Sequence, residues 1–99
     1  MWFNMTFIQI DPARAKEFEE TIGSEKNLTT VRKAKGQFAY LLQLGDHPEQ
    51  VISLTAWNNQ EEATAFFKTA DYAGIVTELK PFITGRPEAK GYKVLRRME

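Results

Sequence analysis

The sequence predicts an α+β domain of the ferredoxin-like split βαβ kind, with a four-stranded antiparallel sheet carrying its helices on one face. Three observations predict it. Short runs rich in aromatic and β-branched residues alternate with stretches whose apolar positions recur at helical spacing, in the order strand, helix, strand, strand, helix, strand. Right-handed crossovers between such strands lay all helices on the same side. Both faces of the predicted sheet are apolar, so helices on one face leave the other needing a cover.

Residues 2 to 10, from Trp2 to Ile10, read as a strand that stops at Asp11-Pro12. Asp11 can cap a helix, and Pro12 suits its first position, where a missing N–H costs nothing. Ala15, Phe18 and Ile22 form one stripe of that helix, and Gly23 ends it. A weaker helical stretch with Leu28 and Val31 facing inward ends before Gly36. Residues 37 to 44 and 50 to 57 read as two strands of a hairpin, with Gly45, Asp46, His47, Pro48 and Glu49 as the loop between them. After Trp57, the run Asn59-Gln60-Glu61-Glu62 has the spacing of a capping box. Ala63, Phe66, Phe67 and Ala70 follow on a helical stripe. A break over residues 69 to 71 precedes a second stripe, Tyr72, Ile75, Val76 and Leu79, which stops before Pro81. Residues 91 to 97 read as a last strand with charged neighbours, as suits an edge. The whole of residues 1 to 99 is one domain, since a chain of this length supports a single core.

The two-faced sheet implies a dimer. Trp2, Asn4, Thr6, Ile8 and Ile10 share one face of the first strand, and Phe3, Met5 and Phe7 the other. The hairpin repeats the pattern, with Phe38, Tyr40, Leu42 and Leu44 against Ala39 and Leu41, and with Ile52, Leu54 and Ala56 against Val51 and Trp57. Leaving such a face wet would forgo on the order of 10 kcal/mol at ~25 cal/mol per Å². A second copy related by a two-fold axis is the simplest cover.

Composition limits the function. Thirteen Lys and Arg balance thirteen Asp and Glu, so no net field draws the protein to nucleic acid or an anionic membrane. The absence of cysteine removes disulfides, thiolate metal sites and cysteine nucleophiles, and fits a reducing cytoplasm. The N-terminal residues do not read as a signal peptide, and no run has the length of a membrane span. Asn4-Met5-Thr6 and Asn27-Leu28-Thr29 match the glycosylation pattern, which without a secretory route is read as chance.

The element order, Gly36 ahead of the second strand, the stretch from Val51 through Ser53, Trp57 and Asn59 to Glu62-Ala63, Tyr72, and the terminal Tyr92-x-Val94 together resemble the antibiotic biosynthesis monooxygenase domains of the dimeric α+β barrel superfamily. The similarity covers nearly the whole chain. It implies a homodimer and, for the members that oxygenate quinols or polyketide aromatics, no metal, flavin or other cofactor, the electron-rich substrate itself activating oxygen between sheet and helices. Asn4, Thr6, Trp57, Phe66, Tyr72 and Val76 would line that pocket here. Such chemistry needs a dry aromatic slot and one or two groups that orient or deprotonate a phenol. Asn4 and Tyr72 are the candidate orienting, catalytic residues, and Thr6, Trp57, Phe66 and Val76 the candidate substrate-binding ones. Each also has a plainer reading, Asn4 as a water-satisfied amide at the strand's open end, Trp57 as a plug at the sheet rim, and Tyr72 as a core residue whose hydroxyl reaches the surface.

Another branch of the superfamily degrades haem with an asparagine, a tryptophan and a histidine, whose places fall on Thr6, Phe66 and Val76. All three groups are missing. His47, the only histidine, lies in the predicted hairpin loop, so a conventional metal site is not expected. Glu61-Glu62 fits a helix N-terminus and Glu19-Glu20 a wet helix face. Arg32, Lys33 and Lys35 form a small solvated basic cluster, and Ser24 and Ser53 lack a histidine partner for nucleophilic chemistry. Two other readings stand beside the oxygenase: a module that binds a small apolar ligand or haem without turnover, and a structural or regulatory dimer with a filled pocket.

Overall fold

A computed structural model describes residues 1–98. Four strands, β1 (Trp2–Gln9), β2 (Phe38–Leu44), β3 (His47–Trp57) and β4 (Glu88–Lys93), form one sheet in the order β2-β3-β1-β4, every neighbouring pair antiparallel. The split βαβ arrangement follows, because β1 and β2 flank β3. The first crossover carries a short 3-10 turn (Pro12–Arg14), α1 (Ala15–Ile22) and α2 (Glu25–Lys33), and the second carries α3 (Gln60–Phe67), α4 (Ala70–Leu79) and a 3-10 turn (Lys80–Phe82).

Local chemistry sets the boundaries. The Asp11 side chain accepts from the Ala13 N–H, and Pro12 opens the turn ahead of α1. Ser24 caps α2 through the Asn27 N–H, and Asn59 caps α3 through the Glu62 N–H. Only half of the capping box forms among the described residues, since Glu62 Oε2 is buried with no partner. Thr69 both ends α3 and starts α4, its hydroxyl donating to the Phe66 carbonyl at 2.6 Å and accepting from the Tyr72 N–H at 3.2 Å. At the end of α2 the Gly36 N–H returns to the Val31 carbonyl and the Lys35 N–H to that of Arg32, the Schellman pattern. The left-handed position of that motif falls on Lys35, at φ 73°, rather than on a glycine.

Gly36 has a different reason to be small. A Cβ there would sit 2.4 Å from Val31 Cγ1 and 3.0 Å from the Val31 carbonyl oxygen. Gly36→Ala is therefore expected to destabilise the fold by about 1–3 kcal/mol, the usual range for overpacking, read as a lower urea midpoint at unchanged slope.

Two strand assignments shift. β3 begins at His47, leaving Gly45 (φ 48°) and Asp46 as a two-residue turn, so His47, Pro48 and Glu49 belong to a strand and not to a loop. A positive φ at the first turn residue matches the strand twist and allows the tight hairpin. β4 starts at Glu88 and ends at Lys93, earlier than the apolar Val94-Leu95 suggests, because its register is set by pairing Trp2 with Lys93 and Phe7 with Glu88.

The helix-facing side of the sheet holds Ile8, Ile10 and Val51 against Phe18, Leu79 and Phe82 in one core cluster. A second cluster centres on Trp57, Ala63 and Phe66, with Trp2, Val31 and Tyr72 packed around it. Ile75 touches both. The opposite side of the sheet carries no helix. There Phe3, Phe38 and Tyr40 stack in sequence, with ring centroids 5.7 and 5.4 Å apart, beside Met5, Phe7, Ile52 and Leu54. Tyr40 is 59% exposed, and Phe38, Leu42, Leu44 and Tyr92 are exposed with it.

Candidate functional site, a cavity between sheet and helices

The two core clusters do not close on each other. Between them lies a cavity of about 190 Å³. Its sheet side presents Thr6 and Ile8 of β1, Ala39 of β2, and Ser53 and Thr55 of β3. These share the helix-facing parity, Thr6 standing opposite Ser53 in register. The helix side is apolar and aromatic, with Phe66 and Phe67 of α3, Tyr72, Ile75 and Val76 of α4, and Leu28 and Val31 of α2. Ala39 and Val76 are exposed, so the cavity has a mouth beside β2 and α4. Among the described residues no charged side chain lies on its wall.

The predicted site residues divide. Thr6, Phe66, Tyr72 and Val76 are on the wall. Trp57 and Asn4 are not. Trp57 is fully buried behind the wall, its ring 5.2 Å from Phe66 and 6.1 Å from Phe67. Its indole N–H donates to Thr55 Oγ1 at 2.9 Å, so the ring backs the aromatic wall and orients one hydroxyl of the floor. Asn4 stands opposite Thr55 and Gly91, partly buried toward the end of the sheet where Trp2 lies across Gly91. That position keeps it off the cavity.

Tyr72 packs edge-on to Phe67 at 4.8 Å and to Phe66 at 5.4 Å. Burial raises the pKa of its phenol above the usual value, since the phenolate would lose hydration. At neutral pH its hydroxyl therefore keeps its proton and can donate a hydrogen bond, but does not serve as a base.

Asn27, Ser53 and Thr55 are wall residues for which the sequence predicts no pocket role. Ser53 and Thr55 could have been found, for they share parity with Val51 and Trp57. Asn27 precedes Val31 by one helical turn, the spacing of a shared helix face. It is 3% exposed, so its match to the glycosylation pattern has no accessible side chain behind it. Its Nδ2 donates to the Thr21 carbonyl at 2.8 Å and to Glu78 Oε1 at 3.4 Å, while its Oδ1 is buried with no partner.

Glu78 also accepts from Lys26 Nζ at 2.6 Å, tying α4 to α2. The hydrogen bond from Lys26 holds the Glu78 carboxyl below its ordinary range, against a smaller opposing effect of desolvation. A lowered folded-state pKa contributes stability above the unfolded-state value and loses it as pH falls through the folded one. Wild type should thus lose stability relative to Glu78→Gln as pH drops below about 4.3, the ordinary Glu value, as followed by denaturation midpoints from pH 6 to pH 3. Among the described residues no group of three His, Cys, Asp or Glu side chains could hold a metal ion, and no helix is long and apolar enough to cross a membrane.

A family model described as antibiotic biosynthesis monooxygenase matches residues 1–78. The chain belongs to the antibiotic biosynthesis monooxygenase family. The split βαβ topology agrees with solved structures of that family. A Nitrosomonas europaea protein named for it superposes with a TM-score of 0.80 at 17% identity, covering 97% of this chain and 100% of that one. A Deinococcus radiodurans protein of the same description gives 0.81 at 10% identity, covering 100% and 97%. SnoaB from Streptomyces nogalater, described as a cofactor-independent oxygenase, gives 0.78 at 14% identity, covering 98% and 95%. At such identities these likenesses establish the fold and not the reaction. Among curated proteins nothing matches the chain.

Proposed function

We propose that this family member is a cofactor-independent monooxygenase of a small phenolic or quinol substrate bound in the cavity. The observation that carries the reading is an uncharged slot walled by Phe66, Phe67 and Tyr72 and floored by hydroxyls. Such a slot excludes water and stacks on an aromatic ring while offering few polar contacts. In this reaction class the substrate is its own reductant: a phenol and dioxygen give a para-quinone and one water, all four electrons of the oxygen coming from the ring. Tyr72 orients the substrate oxygen as a donor, and Thr6, Phe66 and Val76 shape the slot. Trp57 positions Phe66 from behind, and Asn4, off the wall, has no part in the step.

Oxygen uptake should appear with at least one member of a panel of single-ring hydroquinones and catechols, and should fall at least tenfold in Tyr72→Phe while Asn4→Ala leaves it unchanged. Because no carboxylate, imidazole or amine of the described residues faces the slot, the rate should rise with pH as the substrate itself ionises. No uptake across the panel by folded protein would overturn the oxygenase reading and leave a binding module. We also propose a homodimer joined through the helix-free face of the sheet, where Phe38, Tyr40, Leu42 and Tyr92 are exposed together.

A further inference from the structure

Helix α2 covers the cavity more than it belongs to the core. Among its described residues only Asn27 is buried. Leu28 and Val31, its inward apolar side chains, are half-buried residues of the cavity wall, and Leu28 joins neither core cluster. Helices shorter than about 12–15 residues are marginal in water by themselves, and α2 has nine. Its persistence therefore depends on how it is fastened to the rest of the domain.

The polar fastenings sit at its first turn. Asn27 Nδ2 donates to the Thr21 carbonyl at 2.8 Å and to Glu78 Oε1 at 3.4 Å, and Lys26 Nζ meets Glu78 Oε2 at 2.6 Å. The Lys26 side chain is 72% exposed, so water competes for that ion pair. Two features oppose the fastenings. Asn27 Oδ1 is shut off from solvent with no partner, a rare state for a buried acceptor. Lys35, just past the helix, is held left-handed at φ 73°, which is strained for a residue with a Cβ. Lifting α2 hydrates Oδ1 and frees the Lys35 backbone, so the seated helix carries costs that the raised one does not.

We propose that α2 is a hinged lid on the cavity, latched to α4 by Lys26 and Glu78 and turning about Gly23 at one end and Lys35-Gly36 at the other. Ligand then enters and leaves by raising Leu28 and Val31 off the cavity, with the sheet and its two core clusters undisturbed. The lid requires the cavity to be the ligand site and is independent of the reaction that takes place there.

Amide hydrogen exchange of the whole wild-type protein tests the opening without any variant. The amides of residues 29 to 33 should exchange as one block, about a hundredfold or more faster than those of β1 and β3. Glu78→Gln, which loosens the latch, should speed that block about threefold. Lys35→Gly, which relieves the seated conformation, should slow it by about as much. Access is read by fluorine NMR with fluorobenzene, since a cavity of about 190 Å³ exceeds the ~150 Å³ known to accept benzene. The chain has no cysteine, so a Lys26→Cys, Glu78→Cys double variant can be joined specifically by bis-maleimidoethane. Cross-linking should slow exchange of bound with free fluorobenzene about tenfold or more relative to the same variant unlinked. Exchange of residues 29 to 33 in step with β1 and β3, no binding of fluorobenzene at millimolar concentration, or probe exchange unaltered by the cross-link would overturn the proposal. A lid that opens and admits the probe in a protein without oxygen uptake leaves this inference standing and sinks the oxygenase reading, whereas uptake with α2 exchanging in step with the sheet does the reverse.

Discussion

Trp57→Ala is expected to lower the unfolding free energy by about 3–5 kcal/mol, the range for removing a buried indole or phenyl ring from a core. The ring is fully buried and stands between Phe66 and Phe67 on α3 and the end of β3. Removing it deletes the backing of the cavity's aromatic wall and leaves Thr55 Oγ1 without its indole donor. Against a typical domain stability of about 5–15 kcal/mol, such a loss takes away about a fifth of the margin or more. Urea denaturation followed by far-UV circular dichroism measures it. A cost under 1 kcal/mol would show that the cavity wall stands without its support.

Tyr40→Glu is expected to turn the proposed dimer into monomers while leaving the monomer fold intact. In the single chain Tyr40 is mostly exposed, so a carboxylate there keeps its hydration. In the proposed dimer a two-fold axis brings two such carboxylates into one apolar interface beside Phe38 and Leu54, at an effective cost of several kcal/mol per ion. The dimer dissociation constant should rise on the order of 10³-fold or more. Light scattering over a dilution series reads the mass, and circular dichroism confirms the fold. A wild-type protein that is monomeric at micromolar concentration would remove the dimer itself.

The fold was legible because period-two and helical spacings report burial directly, and they did so at Ile8, Phe18, Trp57 and Phe66. Caps were legible for the same local reason, at Asp11 and Asn59. The ends of β3 and β4 were not. His47 and Pro48 have turn chemistry but lie in β3, His47 pairing with Leu44 across the hairpin, and Gly91 sits inside β4 because Trp2 needs its missing side chain, a Cβ there falling 2.1 Å from the indole. The site was half legible. Thr6, Phe66, Tyr72 and Val76 fall on the expected strand face and helix stripes, whereas placing Asn4 and Trp57 required knowing where along the strands the core opens. Asn27 was hidden by its own polarity, since an asparagine on a weakly amphipathic helix reads as surface until its partners Thr21 and Glu78 are seen.

The strand order also bears on how the chain is made. β1 pairs with β3 and β4, Trp2 meeting Trp57 and Lys93, so the aromatic segment from Trp2 to Gln9 leaves the ribosome long before either neighbour exists. It cannot be sheltered by a local hairpin, as β2 and β3 are. Pairings so distant in sequence slow folding and prolong the exposure of strand edges. Nascent chains stalled before residue 57 should therefore engage chaperones through this segment and release them once β3 has emerged.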